Sequence, residues 1–581
     1  MENLSKGKTQ WQVKLEETDH KNEEKKQTGE VSASSLSASK STHTFPKKAL
    51  PTKHGHLPIS PTSTSSIFYA FYEAQNSTLP LSRTPLLIWL QGGPGCSSMI
   101  GNFYELGPWR VTESLTLQRN HGAWNRIFSL LFLDSPIGTG FSVASTRQEI
   151  PTDQNHVAKH LFAAITRFVQ LDPLFKHRPI YITGESYGGK YVPAIGYHIL
   201  KKNAQLHVSQ RVNLAGVAIG DGLTDPETQV VTHALNAYYV GLINEKQKNE
   251  LEKAQLEAVR LAQMGNWSEA TDARNNVMNM LRNMTGLATL YDYTKKARYQ
   301  DYLVEKFLNI AKVKKALGVN ESFVYELCSD VVEAALHADV MKSVKYMVEY
   351  LVRRSKVLLY QGQNDLRAGV VQSEVWVKTM KWEGIVEFVN AERKIWKVNG
   401  ELAGYVQNWK SLTNVVVLGA GHILPADQCF CVVVVLDGDG GGGANGGSNS
   451  RDGSNNFDGC GGGNFGGCGV DDGDDNNDIR KARIKAHLEA NDLLEVVKED
   501  YEVLPLPANP TIAQIKNQKE RKARKSKARA TLFAVVSKEI FTRIMTIKST
   551  YEIWSFLQNE YEGDERIKGM QALNLIREFE M

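Results

Sequence analysis

The segment Ile180-Tyr-Ile-Thr-Gly-Glu-Ser-Tyr-Gly-Gly-Lys190 constrains the fold more than any other stretch of this chain. An apolar, β-favouring run enters a G-x-S-x-G turn, and a helical pattern follows it. Strand, tight turn and helix in that order describe a nucleophile elbow. Gly184 and Gly188 flank the turn because it is too tight for bulky neighbours. Such a turn lifts the Ser186 hydroxyl clear of the sheet and aims the next backbone N–H at a reacting carbonyl. A chance Gly-Ser-Gly turn is the plain alternative, so the rest of the chain has to decide.

Short apolar runs bounded by Gly or Pro recur as strand candidates at Leu86–Leu90, Leu130–Leu133, Ile180–Thr183, Leu214–Ile219, Val357–Tyr360 and Val415–Leu418. Between two of them, Val157, Leu161, Ala164, Ile165 and Phe168 fall on one helical face. The pattern is that of an α/β protein. Asn399-Gly400, inside Ile395 to Tyr405, is a turn pair suited to a two-residue hairpin. From about 236 to 350 the chain is charged and helix-patterned without a strand signal, which predicts a helical lid inserted between two sheet strands.

Two further residues fit the elbow. Asp365 follows the strand ending at Tyr360, and His422 follows the strand ending at Leu418. Ser, Asp and His in that chain order, the last two on loops after their own strands, match an α/β-hydrolase. His422 would take the Ser186 proton, while Asp365 would fix the imidazole tautomer and stabilise the imidazolium. Singly, a loop His is most often structural and a loop Asp a turn former; in order they form a set. The glycine-rich run Trp89-Leu-Gln-Gly-Gly-Pro-Gly-Cys-Ser-Ser98 follows another strand and suits backbone N–H groups approaching an oxyanion. A phosphate loop is discounted, since there is no G-K-[ST] and Pro94 removes a donor.

These segments, with FYELGPW, AWN, FLDSPIGTGFS, GESYGGKYVPAIG, GDGLTDP and GAGHILP, resemble the serine carboxypeptidase family, most of all its plant carboxypeptidase-like members, over about residues 50 to 428. The resemblance implies an α/β-hydrolase fold with a central mixed sheet. It implies oxyanion-hole N–H groups from Gly93 and Tyr187, and a site for the substrate's terminal carboxylate made by Gln91, Glu105 and Glu185. Carboxyl groups hold a carboxylate only by sharing protons, so acid pH should favour binding. It also implies a disulfide between Cys96 and Cys328, which would contribute ~5 kcal/mol in the chain-entropy model. Gln91 stands where the family usually has Asn, and Gly188 where it has Ala. After His422 the family continues with a helix packed on the sheet, whereas here CFCVVVVLDGDGGGG follows. Loss of that helix predicts an open apolar face at Val415 to Leu418.

The expected organisation is a disordered arm over 1–46, the hydrolase domain over 47–430, a Gly/Asp/Asn-rich linker over 431–477 and a helical segment over 478–581. Asp437 to Gly473 holds sixteen of the 47 glycines and cannot bury enough apolar surface to order itself. The last segment resembles the gag-like region of copia-type retrotransposons. Its basic run Lys516 to Arg529 reads as a solvated helix face before a nucleic-acid contact. Cys429, Cys431, Cys460 and Cys468 lack zinc-knuckle spacing. The formal net charge of +4 gives no reason to expect the whole chain on nucleic acid or a membrane, and no run is long and apolar enough to span one.

The N-terminus carries no apolar signal-peptide core, while sequons at Asn76, Asn266, Asn283 and Asn320 suit a secreted or vacuolar glycoprotein. The predicted activity is that of a serine-type carboxypeptidase acting on peptides through an acyl-enzyme on Ser186, with no metal or organic cofactor. The alternatives are an acyltransferase using the same triad, and a catalytically dead gag-like fusion with an assembly or RNA-binding role.

Overall fold

The computed structural model describes residues 45–77, 79–398 and 401–428, and further on 496–497, 507, 511–534, 543–544, 547 and 549–562. The expected arm to residue 44, the linker over 431–477, the Asn399-Gly400 turn and the four cysteines beyond 428 lie outside the described residues.

The strands are β1 (Lys53–Pro58), β2 (Ser66–Tyr72), β3 (Leu86–Leu90), β4 (Trp109–Val111), β5 (Leu117–Arg119), β6 (Ser129–Leu133), β7 (Ile180–Glu185), β8 (Leu214–Gly220), β9 (Lys356–Gly362), β10 (Arg393–Val398), β11 (Glu401–Trp409) and β12 (Leu412–Val417). All but β4 and β5, which pair separately, join one sheet in the order β1-β2-β6-β3-β7-β8-β9-β12-β11-β10. The six central strands, β6 to β12 in that order, run parallel, and the outer ones are antiparallel. The sheet is therefore mixed, as expected. β10 and β11 pair as a hairpin, with Val398 opposite Glu401.

Central strands covered on both faces read as unbroken apolar runs, which is why Leu86–Leu90 and Ser129–Leu133 show no alternation. One face places Ile88, Leu90, Leu131, Ile182, Val217 and Ile219 against helices α1 (Gln154–Gln170) and α2 (Gly188–Asn203). The other buries Leu87, Trp89, Leu130, Phe132, Ala218 and Val415. Each Leu, Ile, Val or Phe side chain among these, fully buried, contributes about 1.5–3 kcal/mol of transfer free energy. Asp153 caps α1 by accepting from the Asn155 and His156 amides.

Two expectations are corrected. Only the first part of the 236–350 insertion gathers its own core, where Leu251, Ala258, Val277 and Leu281 of helices Glu245–Gln263 and Trp267–Thr285 meet. Its later part belongs to the body. Phe307, Leu308 and Val313 pack on one sheet face, and Val348, Leu351 and Val352 on the other. Nor is the sheet open at its end. Val415, Val416 and Val417 are buried, with Leu424 and Ala420 filling the space beside Val415 and Val417.

The chain divides into two compact units, residues 1–464 and 465–581. In the second, the described helices Ile512–Ala534 and Thr550–Glu562 contribute to a small core with Ala528, Leu532, Ile553, Trp554 and Leu557.

Candidate active site

The site collects at the C-terminal ends of the parallel strands, where open α/β sheets bind ligands. β7 ends at Glu185, and Ser186 follows with φ +59°, a left-handed value that L residues adopt only when the surroundings enforce it. The turn is held by the Ser186 amide donating to Gly220 O at 3.0 Å and by the Leu223 amide donating to Ser186 O at 2.9 Å. Helix α2 starts two residues later. A Cβ on Gly188 would stand 2.9 Å from the Leu90 carbonyl oxygen, so β3 and α2 here approach to a spacing fitted to glycine.

His422 follows β12 and Asp365 follows β9. The His422 Nδ1 lies 2.7 Å from Asp365 Oδ2, with both side chains buried. Asp365 is itself fixed, accepting from the backbone amides of Arg367 at 2.7 Å and Ala368 at 3.0 Å. His422 Nε2 makes no hydrogen bond among the described residues, so the bond to Ser186 is not closed. Ser186 and His422 nevertheless line one cleft of about 80 Å³. Catalytic hydrogen bonds often close only around substrate.

The imidazole has a second support. Tyr291, from the insertion, accepts the His422 amide at 2.6 Å through its carbonyl and stacks its ring on the imidazole, centroids 4.6 Å apart and planes 6° apart. A Cβ on Gly421 would collide with that carbonyl, so the glycine before His422 is a close-approach residue.

Gly93 and Tyr187 line the same cleft, and neither backbone N–H has an acceptor among the described residues. The Tyr187 ring is anchored from behind: its hydroxyl donates to Asp339 at 2.8 Å, Gln154 Nε2 donates to the same oxygen at 2.7 Å, and Lys190 pairs with it at 3.1 Å. Burial holds Lys190 down to about 8.

Gln91, Glu105 and Glu185 meet beneath the elbow, all buried. Gln91 Nε2 donates to Glu185 at 2.7 Å and to Glu105 at 3.1 Å. Its oxygen accepts from Trp89 Nε1 at 2.8 Å and from the Gly101 amide at 3.2 Å, which fixes the amide orientation. The longer arm of glutamine thus reaches both carboxyls. Glu105 Oε2 and Glu185 Oε2 are buried without partners among the described residues. Burial pushes Glu105 up to about 8, while burial and then the charge of Glu105 hold Glu185 well above the ordinary carboxylate range.

Sequence reasoning gave no role to Asp221, although it lies in the quoted GDGLTDP segment. It follows β8, accepts the Gly362 amide at 3.0 Å, and brings a carboxylate oxygen within 4.8 Å of ligand atoms of Asp365 and His422. The three have a metal-like spacing. Burial and then the charge of Asp365 raise Asp221 well above its usual range, so a proton kept on Asp221 lets the two carboxyls stand close. Tyr291 and Asp339 carried no signal readable from spacing, because both arrive from the insertion.

A family model described as serine carboxypeptidase matches residues 43–433. Serine carboxypeptidase-like 50 of Arabidopsis thaliana is 58% identical over 386 residues, spanning 66% of this chain and 86% of that protein. The chain belongs to the serine carboxypeptidase family. The probable serine carboxypeptidase CPVL of Homo sapiens is 35% identical, over 66% of this chain and 82% of its own length. Among solved structures, the prohormone-processing carboxypeptidase Kex1 of Saccharomyces cerevisiae superposes with a TM-score of 0.62 at 27% identity, covering 68% of this chain and 92% of that one. The α/β-hydrolase fold and the hydrolase class of this carboxypeptidase chain follow. A second model, gag-polypeptide of LTR copia-type, matches residues 484–581.

Cys96 and Cys328 form a disulfide across 232 residues of sequence, tying the glycine-rich loop after β3 to the insertion. Asn76, Asn266, Asn283 and Asn320 are all exposed. No described helix is long and apolar enough to cross a membrane.

Proposed function

We propose that this serine carboxypeptidase releases the C-terminal residue of peptides. Ser186 attacks the last peptide carbonyl as His422 takes its proton, and Asp365 stabilises the imidazolium. The Gly93 and Tyr187 amides receive the oxyanion. His422 then returns the proton to the leaving amine, and water hydrolyses the acyl-enzyme.

The observation that carries the peptidase reading is the buried Glu105–Gln91–Glu185 cluster directly beneath the nucleophile. A neutral carboxyl there donates a hydrogen bond to a substrate carboxylate, which a peptide's end supplies and a sugar ester lacks. That favours hydrolysis of peptide acids over acyl transfer from sugar esters by the same triad. Exposed sequons and the Cys96–Cys328 bridge support a secreted or vacuolar setting. The sequence match over 484–581 supports a gag-like tail.

Product analysis with a blocked dipeptide and with an acyl-glucose tests this. Free terminal amino acid from the first, abolished in Ser186→Ala by a factor of ~10⁴ or more, is the expected result. Acyl transfer from the second without peptide cleavage would overturn it.

A further inference from the structure

We propose that Arg274, assisted by Arg367, makes the enzyme select peptides with an anionic side chain immediately before the scissile bond, an aspartate or glutamate as penultimate residue. The inference rests on the peptidase reading above.

Arg274 projects from helix Trp267–Thr285 and lines the cleft with Ser186 and His422. It is only 8% exposed. Its one polar contact among the described residues is a long 3.4 Å approach to Asn275 Oδ1, and no ion pair there includes it. Burying a guanidinium without an anion is costly, so an unpaired one facing a cleft calls for a partner from outside. Arg367 is also cleft-lining, and among the described residues no carboxylate side chain pairs with it. Its guanidinium donates to the Tyr291 hydroxyl at 3.1 Å and lies 5.0 Å from the ring centroid. Burial, and then the like charge of Arg367, push Arg274 down to about 9, so it stays cationic at neutral and acid pH.

The other charged groups of the lining do not cancel them. Glu333 is exposed and forms no ion pair with either arginine, and His337 is engaged by Asp272 at 3.0 Å. A carboxylate bridging the two planar forks is the ligand such a pair suits, since guanidinium matches carboxylate geometry.

The side of the scissile bond follows from the other cluster. Gln91, Glu105 and Glu185 do not line this cleft. With the terminal carboxylate held there, the residue before the scissile bond is left to the cleft that Arg274 lines beside Ser186.

The test uses the full chain and blocked dipeptides with Glu, Gln, Lys or Phe before a common terminal Phe, at pH 6. The kcat/KM ratio of Glu to Gln peptide should be about tenfold or more, as for a charge-assisted bond, and should collapse toward one in Arg274→Gln while Arg274→Lys retains part of it. A wild-type ratio near one sinks the proposal without recourse to any variant. So does an unchanged ratio in Arg274→Gln, or a loss in that variant that depends on the terminal carboxylate, seen by comparing peptide acids with their amides. Failure to cleave any peptide overturns the peptidase reading and this inference together; cleavage without anionic preference overturns this one alone.

Discussion

A carboxyl group held neutral by burial answers to pH in a way its solvated counterpart does not, and Glu105 with Glu185 is such a pair. Their folded-state affinities for protons exceed those of the unfolded chain, Glu105 titrating near 8. Above the ordinary carboxylate value the unfolded chain gains ionisation that the folded one refuses. Stability from this pair is therefore full below about pH 4.5 and falls as pH rises toward 8. Substrate binding should follow the same sign: KM for a peptide acid rises as pH passes through about 8, while KM for the matching amide stays flat. Parallel profiles for acid and amide would remove the pair from carboxylate recognition. Asp221 gives a second residue-scale expectation. Because its proton is retained beside Asp365, Asp221→Asn should keep activity within a few fold, whereas Asp365→Asn should lose about 10⁴ in kcat. A comparable loss in both variants would show that Asp221 carries charge. The serine, aspartate and histidine were legible because each follows a strand in a fixed chain order. Asp221 was not, since its part depends on two strand ends being neighbours in space.

Elements differ in how far local pattern betrays them. β3 and β8 announce themselves as apolar runs, and their bounds agree with the sequence to within a residue. β2, Ser66–Tyr72, is a dense aromatic run after a Ser/Thr/Pro cluster and was readable on the same grounds, although the expectation left it out. β1, Lys53–Pro58, was not readable: an edge strand of Lys, His, Gly and Pro buries only its Leu57, and pairing with β2 makes it a strand. The insertion misled for a related reason, since helical periodicity reports an apolar face without saying what covers it. Its covalent tie yields a prediction. Cys96→Ser or Cys328→Ser should cost roughly 2–5 kcal/mol of stability in denaturant melts. The loop bearing Gly93 should also lose definition, so kcat should fall further than KM rises. An unchanged melt would mean that packing alone holds the loop.

At the scale of the molecule, two units meet in one chain, and the carboxypeptidase match stops near the point where the first unit's described residues end. The short helix Leu424–Asp427 is the last described element of that unit and has its own anchors, Asp427 accepting from the Gly421 amide and the Tyr299 hydroxyl and pairing with Lys295 at 2.9 Å. With Val415 to Val417 already buried, a chain ending at residue 433 should keep kcat/KM for peptides within about twofold and melt cooperatively, as independent domains do. Loss of the cooperative transition would show that later residues complete the fold.

The Tyr291–His422 contact bears on heredity. The general base rests on a ring and a carbonyl supplied by an insertion between two strands, a kind of segment that tolerates change more readily than the elements it joins. Exchange of that segment between relatives by recombination would unseat the imidazole unless an aromatic residue came across at the same place. Insertion and triad are therefore expected to descend as one unit, and chimeras joined between residues 290 and 355 should be the ones that fail.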